Sequence, residues 1–346
     1  MPAALASTTT SRRQFLTLLG ISAAAVSCGT ATASGGSGGS GKQVTRLKYQ
    51  GAVGAVSLPE LAADLGYLGD VTLDWVGNTI SGPQDIQSAA TGQTHFGGAF
   101  NGAIVKLAAS KAQIQSVVSY YGSDKDTYLG YYVLEDSPIR SPRDLIGKKV
   151  GMNTLGAHAQ ALLEIYLERN GLSKAEAAKV ESLVVPPVNT EQALRQKQIE
   201  VGVLSGVLRD KALATGGIRP LFKDHELLGA FSAGSYVMTR RFIKENPDTV
   251  RTFTTGVAKA IEWSRTTPRE EVIARMTEIV KKRGRNEDAS TLQYWRSFGV
   301  AETGGRIADK EFQLWIDWLG ERGEIKKGQV KASDLYTNEF NGQGKG

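Results

Sequence analysis

Residues 129–171 read LGYYVLEDSPIRSPRDLIGKKVGMNTLGAHAQALLEIYLERNG. Residues 129–134 form a β-prone run, and Ser141-Pro142-Arg143-Asp144 opens a short helix, with a serine cap and a proline in the first turn. Residues 149–153 make a second strand. The stretch 158–170 places Ala159, Leu163, Tyr166 and Leu167 at the helical period and stops at Gly171, a residue that ends helices because it tolerates the left-handed backbone there. Strand and helix taken in turn predict a mostly parallel sheet with helices on its faces.

The same alternation continues in both directions. Residues 45–50 alternate like a strand, and Ser57-Leu58-Pro59-Glu60 opens a helix with a serine cap and a glutamate three residues later. Residues 71–76 are the next strand, and Gly82-Pro83-Gln84 starts a helix to Gly92. Residues 95–100 are a strand, Asn101 caps a helix to Ser110, and 114–121 is strongly β-prone. Further on, 184–186 and 201–204 read as strands, with a capping box at Asn189 and Gln192 between them, and 235–239 as a return strand. Beyond it the chain is helical over 247–265, 270–283, 289–296 and 310–322. This predicts an α/β protein of two lobes with mixed, mostly parallel sheets and a helical C-terminal region. Lobe one comprises 44–132 plus 238–330, lobe two is the insertion 133–237, and 331–346 is a C-terminal tail. The two crossings, near residues 130 and 236, are the plan of a hinged clamshell.

Ser11-Arg12-Arg13-Gln14-Phe15-Leu16 precedes an apolar run ending at Val26, then Ser27-Cys28. This is the pattern of a twin-arginine export signal over 1–27. The run is too short to span a bilayer, which needs about 20 residues. Cys28 is the only cysteine. It can form no internal disulfide, and it stands where lipoprotein signals carry the residue that is lipidated. Ala25, where such signals usually have leucine, keeps an ordinary cleaved signal as the other reading. Residues 28–43 are mostly Gly, Ser, Thr and Ala, a flexible linker that cannot bury enough apolar surface to fold. Within it Gly36–Lys42 imitates a phosphate loop and Gly35–Gly39 a nucleophile elbow, but neither is flanked by the strand and helix such motifs require. The expectation is a monomer exported from the cytoplasm and held by a lipid anchor at the outer face of the cell membrane or in the periplasm.

Because residues 1–27 contain Arg12 and Arg13 and no acid, the net charge falls from +6 for the whole chain to +4 from Cys28 onward. That is too weak a balance to argue for nucleic acid. Three scattered histidines (His95, His158 and His225) and one cysteine do not build a zinc cluster.

Open α/β sheets bind ligands beyond the carboxyl ends of their strands, where helix N-termini offer free N–H groups and partial positive charge. The segments in that position contain Gln50, Gly82 and Pro83, Asn101, then Thr154, Leu155, Gly156, Ala157 and His158, and finally Asn189 and Ser205. Such a cleft suits a small anion without any cationic side chain. His158 reads either as a ligand contact or cap, or as a packed structural histidine, and His95 as structural. Of Tyr120-Tyr121 and of Tyr131-Tyr132, strand alternation would send one of each pair towards the cleft. Trp263, Trp295, Trp315 and Trp318 read as core, and Lys281-Lys282-Arg283-Gly284-Arg285 as a solvated helix end.

Tyr49-Gln50, Gly82-Pro83-Gln84, Phe96-Gly97-Gly98, the run from Ser137 to Val150, Ala157-His158, Leu162-Leu163 and Asn170-Gly171-Leu172 resemble, in order and spacing, the solute-binding proteins of ABC importers in the aliphatic sulfonate, nitrate and taurine group. The likeness runs over 45–245, and Ser137-Pro138-Ile139-Arg140-Ser141-Pro142-Arg143-Asp144-Leu145-Ile146-Gly147-Lys148-Lys149-Val150 is its most specific part. The resemblance implies a type 2 periplasmic-binding-protein clamshell. It implies capture of a small anionic solute between the lobes, hand-over to a permease driven by a separate ATPase, and no cofactor. Three departures bear on the ligand. Thr154-Leu155-Gly156 stands where the family carries hydroxyl residues before the Ala-His pair. Phe100-Asn101 replaces a Gly-Asp, and Ser205-Gly206-Val207-Leu208 replaces a Trp-Asp-Pro-aromatic segment.

The expectation is therefore a transport receptor for a sulfonate-like anion, with nitrate, taurine or a thiamine-precursor pyrimidine as alternatives. A sensor that docks on a membrane receptor would have the same sequence features. An enzyme on the same fold resembles this group too, but its cysteine-rich motif cannot come from a chain whose sole cysteine is Cys28.

Overall fold

The structure is a computed structural model that describes residues 43–343. The expected signal, Cys28 and the linker to residue 42 lie outside the described residues. In chain order the elements are β1 (Arg46–Gly51), α1 (Leu58–Asp64), β2 (Thr72–Asn78), α2 (Gly82–Ala90), β3 (Gly97–Phe100), α3 (Asn101–Ala109), β4 (Ile114–Ser123) and β5 (Leu129–Leu134). Then come β6 (Lys149–Met152), α4 (His158–Arg169), α5 (Lys174–Ala177), β7 (Glu181–Val184), α6 (Pro187–Arg195), β8 (Val201–Ser205), α7 (Gly206–Thr215), β9 (Ile218–Lys223) and α8 (Asp224–Leu228). The chain closes with β10 (Phe231–Thr239), α9 (Arg240–Glu245), α10 (Pro247–Thr266), α11 (Arg269–Lys282) and α12 (Asp309–Glu321).

Two lobes result. In the first, β10 runs antiparallel between β3 and β4, and β1 and β2 form a parallel pair beside them. His95 joins the two pieces, since its N–H donates to Lys48 O at 2.9 Å and its Nδ1 accepts from Lys48 N at 2.7 Å. In the second lobe the order is β7-β6-β8-β5-β9, with β6 parallel to β7 and β8, and β5 antiparallel to β8 and β9.

Local sequence accounts for several boundaries. Ser57 and Glu60 form the expected capping box on α1. Gly171 ends α4 at φ +77°, with Leu172 N reaching back to Leu167 O at 3.1 Å, the six-residue closure typical of a helix end. Others differ from expectation. β7 ends at Val184, and α6 starts at Pro187, so Asn189 lies inside the first turn and caps nothing. Asn101 likewise is the first residue of α3, not its cap. In place of the helix expected over 289–296 there is a short 3-10 turn, Ser290–Tyr294.

The lobe boundaries shift as well. β5 pairs with β8 from Leu129, and β10 pairs with β4 from Phe231, so the crossings fall at 124–128 and 229–230 rather than near 130 and 236. Periodicity marks a strand but not the sheet it joins. Lobe one is therefore 43–123 with 231–343, and lobe two 129–228. The stretch 331–343, expected as a separate tail, is part of lobe one. Leu335 and Phe340 are buried, and the chain pairs with β4 through Ser116 N to Leu335 O at 2.8 Å and Thr337 N to Ser116 O at 2.9 Å. Where β4 reaches the first crossing, a Cβ at Gly122 would lie 2.2 Å from Phe231 O, so only glycine fits.

Among the described residues one core fills lobe one, a larger one is shared by both lobes, and a small third one around Tyr132, Leu194 and Ile199 lies within lobe two. In the shared core Phe100, Ile104, Phe312 and Trp315 of lobe one meet Tyr131, Met152, Ala159 and Leu162 of lobe two. Trp295 and Trp315 are core residues, while Trp263 and Trp318 are half-buried. Arg283 and Arg285 are not solvated as expected. Both are half-buried residues whose side chains, 8% and 9% exposed, pack against Glu60, and Arg283 also pairs with Glu287.

Candidate functional site

A cavity of about 420 Å³ lies between the lobes at the carboxyl ends of the strands. Lobe one contributes Ala52, Gly82, Pro83, Phe100, Tyr120 and Tyr121. Lobe two contributes Asn153, Thr154, Ala157, His158, Thr190, Ser205 and several apolar side chains, among them Leu129, Val203 and Leu208. Among the described residues that line it, none carries a Lys, Arg, Asp or Glu side chain.

Five helices start at this cavity: α2, α3, α4, α6 and α7. None has a side-chain hydrogen bond capping it among the described residues. Elsewhere α1, α5 and α9 are capped by Ser57, Ser173 and Thr239, and Gln43 Oε1 accepts from the first turn of α10, while α8, α11 and α12 also lack a side-chain cap, so what sets the five apart is their convergence on one cavity. In α4 the N–H groups of His158, Ala159 and Gln160 precede the first intrahelical bond, from Ala161 N to Ala157 O. Each helix start carries a partial positive charge of roughly half a unit. The cavity thus gathers positive potential from backbone alone.

His158 stacks on Phe100 with ring centroids 5.0 Å apart and planes 12° apart. Burial pushes its pKa down to about 3, so the ring is neutral. Its Nε2 lies 3.7 Å from Asp224 Oδ2, too far for a hydrogen bond, and neither atom has another partner among the described residues. Asp224 Oδ1 accepts from Ser123 Oγ at 2.7 Å and Leu129 N at 3.1 Å. It therefore ties the end of β4 to the start of β5 across the first crossing.

Of the residues expected at the site, Gly82, Pro83, Thr154, Ala157, His158 and Ser205 line the cavity. The other five do not. Gln50 is half-buried and accepts from Ser88 Oγ at 3.3 Å. Asn101 is fully buried as a strut, accepting from Ser235 Oγ at 2.9 Å. Leu155 is exposed, Gly156 N is taken by Gln160 Oε1 at 2.8 Å, and Asn189 points outward while Thr190 faces the cavity. Phe100, Asn153 and Thr190 are additional lining residues; their position at strand ends and helix starts was the available signal. Both Tyr120 and Tyr121 line the cavity, and neither Tyr131 nor Tyr132 does. Register shifts between β10 and β4 near Gly234 break strict alternation there, and Tyr131 is instead buried with its hydroxyl donating to Ala159 O.

Two α/β lobes joined by two crossings, with a cavity at facing strand ends, define the periplasmic-binding-protein fold. Residues 61–271 match the family model described as NMT1/THI5 like. That is more than half of the chain, and the protein belongs to the NMT1/THI5-like family. No curated protein matches it. Among solved structures, the alkanesulfonate-binding protein SsuA from Xanthomonas axonopodis pv. citri bound to MOPS is similar, with a TM-score of 0.66 and 18% identity over 86% of this chain and 99% of that one. The periplasmic nitrate-binding protein NrtA from Synechocystis PCC 6803 is similar with a TM-score of 0.64 and 10% identity over 86% and 87%. The desulfurization enzyme DSZB is similar with a TM-score of 0.57 and 13% identity over 86% and 97%. At such identities what these likenesses carry over is the fold.

Proposed function

We propose that the protein is an extracytoplasmic solute receptor of an ABC importer. It captures a small organic anion of the sulfonate type between its lobes and delivers it to a membrane permease driven by a separate ATPase. The observation that carries this reading is the convergence of five helix starts without side-chain caps on a cavity whose described lining has no charged side chain. Oriented N–H groups bind an oxyanion without a counter-charge. The apolar lining from Leu129, Val203 and Leu208 favours an anion with an organic part over bare nitrate. The neutral His158 and the Ser205 hydroxyl are available to donate hydrogen bonds, each worth about 0.5–1.5 kcal/mol net, while the Thr190 and Thr154 hydroxyls donate to Pro186 O at 3.3 Å and Leu155 O at 3.5 Å. The family match and the sulfonate- and nitrate-binding neighbours support a receptor role.

Calorimetry with ethanesulfonate, taurine, nitrate and a neutral pyrimidine tests the reading. Ethanesulfonate is expected to bind more tightly than nitrate. A second reading, a neutral pyrimidine, is favoured by the aromatic side chains of Phe100, Tyr120 and Tyr121 in the cavity lining. Binding of the pyrimidine while ethanesulfonate, taurine and nitrate all fail at millimolar concentration would replace the anion reading with that one.

The receptor is further proposed to leave the cytoplasm by the twin-arginine route and to be lipidated at Cys28. One acyl chain anchors marginally and two hold firmly. Cys28→Ala is expected to move the protein from the salt-washed membrane fraction to the soluble fraction. A variant that stays in the membrane pellet counts against the anchor.

A further inference from the structure

Four segments frame the outer edge of the cavity, two from each lobe: those following β1, β2, β6 and β7. Each carries a cavity-lining residue and, within three positions of it, an exposed large aliphatic side chain. Val53 follows Ala52, Ile80 precedes Gly82, Leu155 follows Thr154 and Val188 follows Pro187. These side chains are 54%, 53%, 46% and 63% exposed. The two lips meet where Asn153 Nδ2 donates to Ile80 O at 3.5 Å. Val76 and Val184, near the ends of β2 and β7, are exposed as well.

The same segments carry no charge. Residues 51–59, 75–84 and 182–190 contain no Asp, Glu, Lys or Arg, and 150–163 adds only the neutral His158. In a chain with 22% charged residues, none belongs to these segments, and those that reach them from other elements are engaged: Glu287 accepts from Gly54 N at 3.2 Å and pairs with Arg283, and Lys106, beside Gly156, pairs with Glu324. A nearby cation, Arg285, lies 4.4 Å over the Trp75 ring but is held by Glu60 and Tyr49. Single exposed aliphatic side chains are ordinary, but several gathered at the segments around one opening mark a binding surface.

We infer that the mouth is a second subsite, which takes up an apolar tail of the ligand that emerges from the cavity between the lips. Continuity argues for this occupant, because each lip residue is a near neighbour in the chain of a residue that faces the ligand space. The ligand class is then an amphiphile, with an acidic head among the helix starts and an alkyl or aryl tail long enough to reach Ile80 and Val188. The inference rests on the anion-receptor reading above.

Isothermal titration of ethane-, butane-, hexane-, octane- and decanesulfonate tests it. Burial of one methylene corresponds to about fourfold in affinity when complete, so a gain of about twofold to fourfold per methylene is expected to continue into the long members. The quantity read is the ratio of decane- to ethanesulfonate affinity within one protein, which cancels any loss of folded material. In Ile80→Ser with Val188→Ser, two exposed positions, that ratio is expected to fall at least tenfold. An unchanged ratio in the variant overturns the subsite. Equal weakening of every member also overturns it, since the lips would then cover each other and not a tail. Failure of the whole series, ethanesulfonate included, overturns the anion reading and this inference with it.

Discussion

Asp85 lies in the first turn of α2, with one carboxylate oxygen accepting Gly98 N–H at 2.7 Å and the other buried without a partner among the described residues. Burial raises its pKa to about 7, and it raises those of Glu311 and Asp224 to about 7 and about 6. A carboxyl whose folded pKa is raised binds its proton more tightly in the fold. Its contribution to stability is present at low pH and is lost as pH rises through the folded value. His158 acts in the opposite sense, because its pKa is lowered to about 3. Its share is lost as pH falls from the ordinary histidine range towards that value. Three raised carboxyls against one lowered imidazole predict a protein more stable near pH 5 than near pH 8. Asp85→Asn keeps an acceptor for Gly98 N and removes the charge. It is expected to reduce the loss between those two pH values by roughly 2–4 kcal/mol, read as melting temperature against pH. An unchanged profile would show that Asp85 is not a source of the pH dependence. None of these shifts was legible from composition, since each follows from burial that only the packed chain creates.

At the scale of elements, the first crossing is held from both sides. Asp124 Oδ1 accepts from Asp126 N and Thr127 N, and Ser297 of lobe one bonds to Asp124 and Thr127. From lobe two, Arg209 on α7 donates to Tyr128 O at 3.0 Å and Asp126 O at 2.7 Å, pairs with Asp210, and lies 3.9 Å over the Tyr128 ring. Only 1% of Arg209 is exposed. Arg209→Leu would leave two crossing carbonyls without these partners and Asp210 with Arg296 alone at 3.2 Å. It is expected to cost about 3 kcal/mol in denaturant unfolding. Arg209→Lys should not restore the loss, because an ammonium cannot span the same fork of acceptors. A Lys variant as stable as the parent would refute this account. The helix that carries Arg209, with β9 and α8 after it, went unpredicted. Its apolar residues follow no clear face, and it is placed by tertiary contacts with the crossing.

For the whole molecule, two short crossings at 124–128 and 229–230 permit a hinge, and Gly229 in the second has φ +73°. The shared core and the Arg322–Glu164 pair at 2.9 Å between α12 and α4 hold one flank of the lobes together. Closure should therefore pivot about that flank and narrow the mouth between Ile80 and Val188. Small-angle scattering is expected to give a smaller radius of gyration at ligand saturation than without ligand. Identical profiles would argue for a cavity that is already closed around its solute.

The alternation of strands and helices, the capping box on α1 and the stop at Gly171 are local features, set by side-chain period and backbone freedom. They determined the α/β class and the end of the sheet where a ligand would lie. Which sheet each strand joined, and hence where the lobes divide, depended on hydrogen-bond partners far apart in the chain. The same holds within the site. Thr190 faces the cavity and Asn189 does not because α6 begins at Pro187, and Asn101 became a buried strut because α12 and β10 close over it. A shift of one residue in a helix start rotates every side chain by about 100°, and that rotation is decided by packing rather than by the local sequence.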